Sequence, residues 1–174
     1  MALARSVRPA ARPLSGFRQC QKGATAVEFG FVALIFITFI STWMELGLVI
    51  FMQSTLDRAV RKESRLIKVG TITASGASTF AANLCSDLSA LMTCSLIQVN
   101  VTSGSTFSSL SSTVTTTSAN RLATTGFNPG GSGDNVMVQV GYTMPLIIPL
   151  VSSLIGKNNS YFFYSSLAFQ NEPF

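Results

Sequence analysis

The sequence contains no histidine, and charged residues make up only 11% of its 174 residues. After Gly70 the only acidic residues are Asp87, Asp134 and Glu172, so few pairs could serve as general acid and base. No nucleophile has an evident base, and the glycine-rich stretch 130–133 lacks the Gly-Lys-Ser/Thr ending of a phosphate-binding loop. This inventory argues against an enzyme, and we expect neither a cofactor nor a metal site.

The excess of positive charge lies entirely in the first 23 residues. They contain five basic and no acidic side chains, whereas residues 24–174 carry seven of each. In nucleic-acid-binding proteins the basic residues recur across a folded surface, whereas here the excess is confined to the first 23 residues. Nucleic acid is therefore not an expected partner. Residues 1–23 also contain two prolines and show no apolar periodicity. We therefore interpret them as a basic leader peptide and not as a domain.

An almost wholly apolar segment runs from Ala24 to about Met52. It exceeds the roughly 20 residues that a helix needs to cross a bilayer. The charged residues 53–68 contain neither Gly nor Pro, and apolar residues recur among and just after them near helical intervals at Leu56, Val60 and Val69. Gly70 is a suitable C-cap. The pattern predicts a membrane-spanning and protruding helix over residues 24–69.

Beyond Glu28, charged residues occur at two places in this helix. For Glu45 we expect a side chain that reaches water near the outer interface, with a neighbouring helix as the alternative partner. For the charged residues from Asp57 to Lys68 we expect a solvated helix face with weak i,i+4 pairs, and docking of a partner is the alternative. Because both flanks of the apolar segment are basic, charge alone does not decide the membrane topology.

Residues 70–174 predict a small α+β domain with one short helix and an antiparallel sheet of about three strands. Ser78 is a candidate N-cap for a helix whose apolar residues, Phe80, Leu84, Leu88 and Leu91, follow at helical spacing. The strands are expected at about 96–102, 135–144 and 161–171.

The middle strand has the clearest alternation, and the segments around it are less regular. Its alternating apolar residues, Val136, Val138, Val140 and Tyr142, predict a half-buried strand. The Ser/Thr-rich residues 102–125 are expected to be irregular, and residues 128–134 to form a turn. Residues 149–157 are expected to form one or two helical turns that cover the sheet, with an exposed contact patch as the alternative.

Three cysteines leave one unpaired in a secreted protein. Cleavage after Gly23 would remove Cys20 and leave Cys85 and Cys94 as an even pair in a segment outside the cytoplasm. A disulfide that closes this loop of about ten residues would stabilise the fold by roughly 2–3 kcal/mol. Two unbridged thiols are the alternative.

The run from Lys22 to Phe29 places a small residue directly before the apolar segment. An ordinary secretory signal has the reverse order, with the apolar region before the cleavage site and discarded. Cleavage after Gly23 would retain the apolar segment instead. It would also create a new ammonium group at Ala24, four residues before Glu28.

This junction resembles a type IV prepilin processing site, and Gly23 followed by Ala-Thr-Ala-Val-Glu-Phe is similar to the Tad (tight adherence) pilus class. The similarity continues at four further motifs: Glu45-Leu-Gly, residues 127–134, residues 142–149 and residues 169–174. Together they resemble the TadE-like family of minor pilins or pseudopilins. The resemblance implies a pilin-like fold, cleavage by a prepilin peptidase between Gly23 and Ala24, and a supporting role in assembling a pilus used in adhesion.

The resemblance also implies a role for Glu28, with Phe29 beside it, in subunit assembly. A carboxylate in lipid costs on the order of 2.5–3.5 kcal/mol at mid-bilayer, and pairing with the Ala24 ammonium of a neighbouring subunit would neutralise both charges. Hydration of Glu28 at the cytoplasmic interface is the alternative.

The partners implied by the resemblance are the peptidase, other minor pilins, the major pilin, the inner-membrane assembly platform and membrane lipid. The implied location is the bacterial inner membrane, with a single pass, a cytoplasmic N-terminus and an extracytoplasmic domain. A membrane-anchored periplasmic or surface ligand-binding protein, held by a plain signal anchor, is the alternative function.

Overall fold

The structure is a computed structural model that describes residues 21–110 and 113–174, so most of the predicted leader lies outside the described residues. The described part of the chain divides into two compact units, with the boundary between Ile40 and Ser41. The elements are α1 Gln21–Lys68, α2 Ala77–Leu88, β1 Gln98–Gly104, β2 Gly126–Phe127, β3 Asn135–Pro145, α3 Pro149–Ile155 and β4 Ser160–Gln170. The predicted α+β class is confirmed.

Helix α1 ends as the sequence predicts, at a glycine in the left-handed conformation. Gly70 has φ of 74°. Its N–H donates to the carbonyl oxygen of Ile67, and the N–H of Thr71 donates to that of Leu66, each at 2.9 Å. These two bonds form a Schellman motif, which satisfies carbonyl groups that the last turn would otherwise leave without donors.

Within residues 41–174, one face of α1 forms the centre of the hydrophobic core. The buried apolar residues of this face recur at spacings of three and four, so they form a single stripe, which comprises Val49, Met52, Leu56, Ala59, Val60 and Ile67. Leu56 and Val60, which recur at helical intervals in the sequence, belong to it. Val69 follows the last residue of α1 and is 38% exposed.

The sheet has four strands in the order β2-β1-β3-β4. The three strands expected from the sequence are present, and both β1–β3 and β3–β4 are antiparallel. A fourth strand of two residues, β2, was not predicted, and it pairs with β1 in parallel, so the sheet as a whole is mixed. A strand of two residues carries no alternation, so periodicity gives no signal for it.

Strand β3 is buried on both faces, which corrects the prediction of a half-buried strand. Val136, Val138 and Val140 pack into the core shared with α1. On the opposite face the Ser/Thr-rich segment covers the sheet: the Asn135 amide donates to the carbonyl oxygen of Ser105 at 2.9 Å, and Leu122 is only 5% exposed. The irregular segment is therefore a second layer over the sheet.

Helix α2 buries Phe80, Leu84 and Leu88 as predicted. Its N-cap is Gly76 and not Ser78, because a short 3-10 turn precedes the helix and places Ser78 in the first turn. Cys85 lies in α2 and Cys94 just beyond it, and the two form a disulfide with Cα atoms 5.3 Å apart. The bridge ties the end of α2 to the start of β1.

Replacing both bridged cysteines by serine should lower the free energy of unfolding by about 2–3 kcal/mol, because the unfolded chain then regains the entropy of an open loop. Denaturant unfolding of the full chain in detergent would measure this loss. Ser86→Ala, a change at an exposed neighbour that keeps the bridge, is the matched control. Adding a reductant should bring the control to the stability of the double variant. Equal stability of the two oxidised proteins would contradict the prediction.

Candidate functional site

The candidate processing site lies at the beginning of the described part of α1. Gly23 and Ala24 are helical residues close to Gln21, the first residue that the structure describes. A Cβ atom placed on Gly23 would have nothing within 4 Å. The described structure therefore imposes no steric demand for glycine at this position.

Glu28 and Phe29 project from exposed positions of the same helix, and the Phe29 side chain is 73% exposed. Among the residues that the structure describes, the ion pairs are those of Lys62 and Lys68, so no described cation pairs with the Glu28 carboxylate. Ala24 and Glu28 are four residues apart, and this spacing places them on one helix face.

The apolar side chains of α1 in the first unit, residues 1–40, are open to their surroundings. The large apolar residues from Val27 to Ile40 are at least 41% exposed, and no charged residue occurs between Phe29 and Met44. In the part of the chain that the structure describes, α1 is the one helix long and apolar enough to cross a membrane. This feature is consistent with a single-pass membrane anchor.

Glu45 does not reach water, so that prediction was wrong. The side chain is 8% exposed. Its two oxygens accept hydrogen bonds from the backbone N–H groups of Ile147 at 2.6 Å and Ile148 at 3.0 Å. These amides lie between Pro145 and Pro149, just before α3. Glu45 thus joins two motifs of the sequence resemblance, Glu45-Leu-Gly and residues 142–149, into one contact.

The charged residues from Asp57 to Lys68 are only in part the solvated face that the sequence predicts. Arg58, Arg61 and Arg65 are exposed, but Glu63 is 1% exposed and accepts a hydrogen bond from Asn83 of α2 at 2.9 Å. Lys62 donates to Asp87 at 2.8 Å, and this hydrogen bond raises the pKa of Lys62 above its usual value. Part of the cluster therefore docks α2.

The two remaining motifs of the resemblance also meet. The Asn171 side-chain amide donates to the carbonyl oxygens of Pro129 and Gly131, each at 2.9 Å, and Gln170 donates to that of Gly133. Within the turn, the Asp134 carboxylate accepts the N–H of Gly131 at 2.7 Å. Residues 128–134 form the predicted turn, and these contacts give both motifs a structural role.

A polar cavity of about 310 Å³ lies on the sheet face covered by the Ser/Thr-rich segment. Hydroxyl and amide side chains dominate its lining, including Asn100, Thr102 and Gln139, and none of the described residues that line it is charged. Ligand pockets are usually mostly apolar with a few polar groups, and this volume is at the low end of their range. The cavity gives the ligand-binding alternative little support.

The described residues contain no group of three or more His, Cys, Asp or Glu side chains close enough to hold a metal ion.

A comparison with known protein families finds a match within α1. Residues 23–62 match the family model of the TadE-like proteins. The matched TadE-like segment begins at Gly23 and includes Ala24, Glu28 and Glu45. The match confirms the resemblance at the Gly23 junction and at Glu45, and it supports a protein associated with Tad pili. The motifs at residues 127–134, 142–149 and 169–174 lie outside the matched segment. The TadE-like family is in general non-enzymatic. No curated protein and no solved structure matches the chain significantly.

Proposed function

We propose that the chain is a minor pilin or pseudopilin that supports assembly of a Tad pilus and is not an enzyme. In this proposal a prepilin peptidase cleaves it after Gly23, and α1 holds it in the bacterial inner membrane with the larger unit outside the cytoplasm. The observation that carries the proposal is the start of the TadE-like segment at Gly23, the residue before the proposed cut. The exposed apolar surface of α1 supports the anchoring role.

The proposed chemistry of assembly is charge neutralisation within the membrane. Cleavage would give Ala24 a free ammonium group, and the exposed Glu28 carboxylate of a neighbouring subunit would be its counter-ion. Pairing removes two unfavourable charges from lipid and fixes the axial offset between adjacent helices. Major pilin, other minor pilins and the inner-membrane assembly platform are the proposed partners, and adhesion is the proposed use of the pilus.

The cut is tested by mass spectrometry of the mature N-terminus in cells that contain the peptidase. The expected mature chain begins at Ala24, and a Gly23→Phe variant is expected to keep its leader. Because a Cβ atom at Gly23 would have nothing within 4 Å, and the position is exposed, this variant is designed to test recognition by the peptidase and not folding. Gly30→Ala, at another open glycine of α1, is the matched control and should be cleaved normally. An intact leader on the unsubstituted chain would refute the proposed processing.

The rival function, a ligand-binding domain on a plain anchor, makes a different prediction about α1. An unrelated membrane helix substituted for residues 24–40, which leaves Glu45 and the buried face of α1 in place, would preserve function under the rival hypothesis and abolish pilus assembly under ours. Counting surface pili in the two strains separates the hypotheses.

A further inference from the structure

Helix α3 has apolar residues on two sides, and only one side is covered. Val151 is 1% exposed and packs into the core. Ile147, Leu150 and Leu154 are 85%, 50% and 70% exposed. Leu150 and Leu154 are four residues apart and lie along one face of α3, and Ile147 is exposed in the segment just before the helix; we call these three residues the exposed α3 stripe. A short helix that is apolar on both sides needs a second apolar environment.

The exposed α3 stripe adjoins the apolar surface of α1. The Glu45 carboxylate holds Ile147 and Ile148 against α1 through their backbone N–H groups. Beside this contact lies an open apolar groove of about 640 Å³, lined among others by Met44, Leu48 and Phe51 of α1 and by Ile147. These three α1 side chains are themselves 42–71% exposed. One apolar surface therefore extends from α1 onto α3.

The position of this surface along α1 corresponds to a membrane boundary. A span of about 20 residues that begins at Ala24 ends near Trp43, and tryptophan is enriched at membrane interfaces. Glu45 follows directly, and polar residues begin at Gln53. Under the anchoring proposed above, the Glu45 contact would hold α3 beside the part of α1 where acyl chains give way to headgroups.

We propose that the exposed α3 stripe inserts into the lipid of the outer leaflet, so that α3 acts as a membrane-contacting foot next to α1. The proposal rests on the membrane anchoring proposed above. Short helices that lie in an interface bury their apolar face about 5–10 Å into the boundary and keep a polar face outside. Ser152 and Ser153 supply polar positions on α3, and the exposed Lys157 that follows can extend to lipid phosphates. This arrangement favours lipid over a protein partner as the occupant.

The test places one environment-sensitive fluorophore at a time on the full-length chain. In a Cys20→Ser background, with the Cys85–Cys94 bridge kept oxidised, the label goes on Leu154→Cys, Ser132→Cys or Phe36→Cys. Ser132 is exposed and precedes β3, whereas α3 follows its other end, so it is the matched control within the same unit. Phe36 reports insertion of α1. Each protein is reconstituted in phosphatidylcholine vesicles with a minority of phosphatidylglycerol, with or without nitroxide-labelled lipid.

We expect the Leu154 probe to be quenched by a nitroxide near the headgroup at least about threefold more strongly than the Ser132 probe, and to be shielded from aqueous iodide. If the Phe36 probe is quenched and the Leu154 probe is not, α1 inserts into the membrane but α3 does not, and the proposed lipid contact of α3 is refuted. Shielding from iodide without lipid quenching would mean that a second protein chain covers α3, and it also overturns the proposal. An unquenched Phe36 probe would show that the anchor itself fails.

Discussion

A Glu28→Gln variant is expected to be cleaved after Gly23 and to fold normally, yet to reduce the number of assembled pili by about a hundredfold. The physical reason is an ammonium group at Ala24 left without a counter-ion in lipid. Breaking a buried ion pair by removing one partner costs about 3–5 kcal/mol, which corresponds to a factor of a hundred or more at equilibrium. Electron microscopy of surface pili, together with mass spectrometry of the N-terminus, would measure assembly and processing separately.

The control for this variant removes a polar group from the same helix without removing a charge. Thr38 is suitable, because its hydroxyl donates to the carbonyl oxygen of Leu34 within α1 at 2.8 Å. Thr38→Ala should therefore assemble normally. Glu28→Asp keeps the charge on a shorter side chain and should restore part of the assembly. Pili in wild-type numbers on the Glu28→Gln strain would show that Glu28 is merely hydrated at the interface.

The second large effect is expected at Glu45. Glu45→Ala should lower the free energy of unfolding by about 2–4 kcal/mol, because it removes two charge-assisted hydrogen bonds and leaves the N–H groups of Ile147 and Ile148 without acceptors. Glu45→Gln retains one acceptor oxygen but turns its amide N–H₂ toward the other donor. Its free energy of unfolding should therefore lie between those of the unsubstituted chain and Glu45→Ala. Denaturant unfolding in detergent measures both variants, and amide hydrogen exchange at Ile147 and Ile148 should accelerate in each.

Glu172→Ala provides the matched control for Glu45→Ala. It removes a carboxylate that is 54% exposed and lies 3.5 Å from the Lys68 ammonium. Exposed pairs of this kind contribute at most about 1 kcal/mol. If Glu45→Ala and Glu172→Ala were equally stable, and exchange at Ile147 were unchanged, the Glu45 hydrogen bonds would have no structural role.

The features that the sequence predicted correctly follow from local patterns. Alternating valines identify β3, apolar spacing identifies α2 and the outer part of α1, and Gly70 marks the helix end. Each of these signals acts within a few residues, where backbone conformation and side-chain period are directly linked. The TadE-like resemblance was likewise carried by short motifs, and the family match over residues 23–62 confirms it.

The features that were missed depend on contacts between distant parts of the chain. The role of Glu45 as a hydrogen-bond acceptor was not predicted, because its partner Ile147 is 102 residues away in the sequence. The sequence did contain a signal for this role. Glu45 precedes the buried Val49 by four residues, so it lies on the same face of α1 as the buried stripe. Glu63 lies on that face as well, between Val60 and Ile67. A carboxylate in such a stripe requires a buried partner. The second layer over β3 left no comparable signal, because the Ser/Thr-rich segment has no period.

The oxidation state of the disulfide can report where the larger unit is located and when it is exported. Cys85 and Cys94 belong to the larger unit, and a bridge between them persists only where the surroundings are oxidising. Their oxidation state in a living cell therefore records on which side of the membrane this unit lies. The time after synthesis at which both thiols become oxidised gives the time at which the unit is exported. Comparing it with the time at which chains beginning at Ala24 appear would show whether export precedes cleavage.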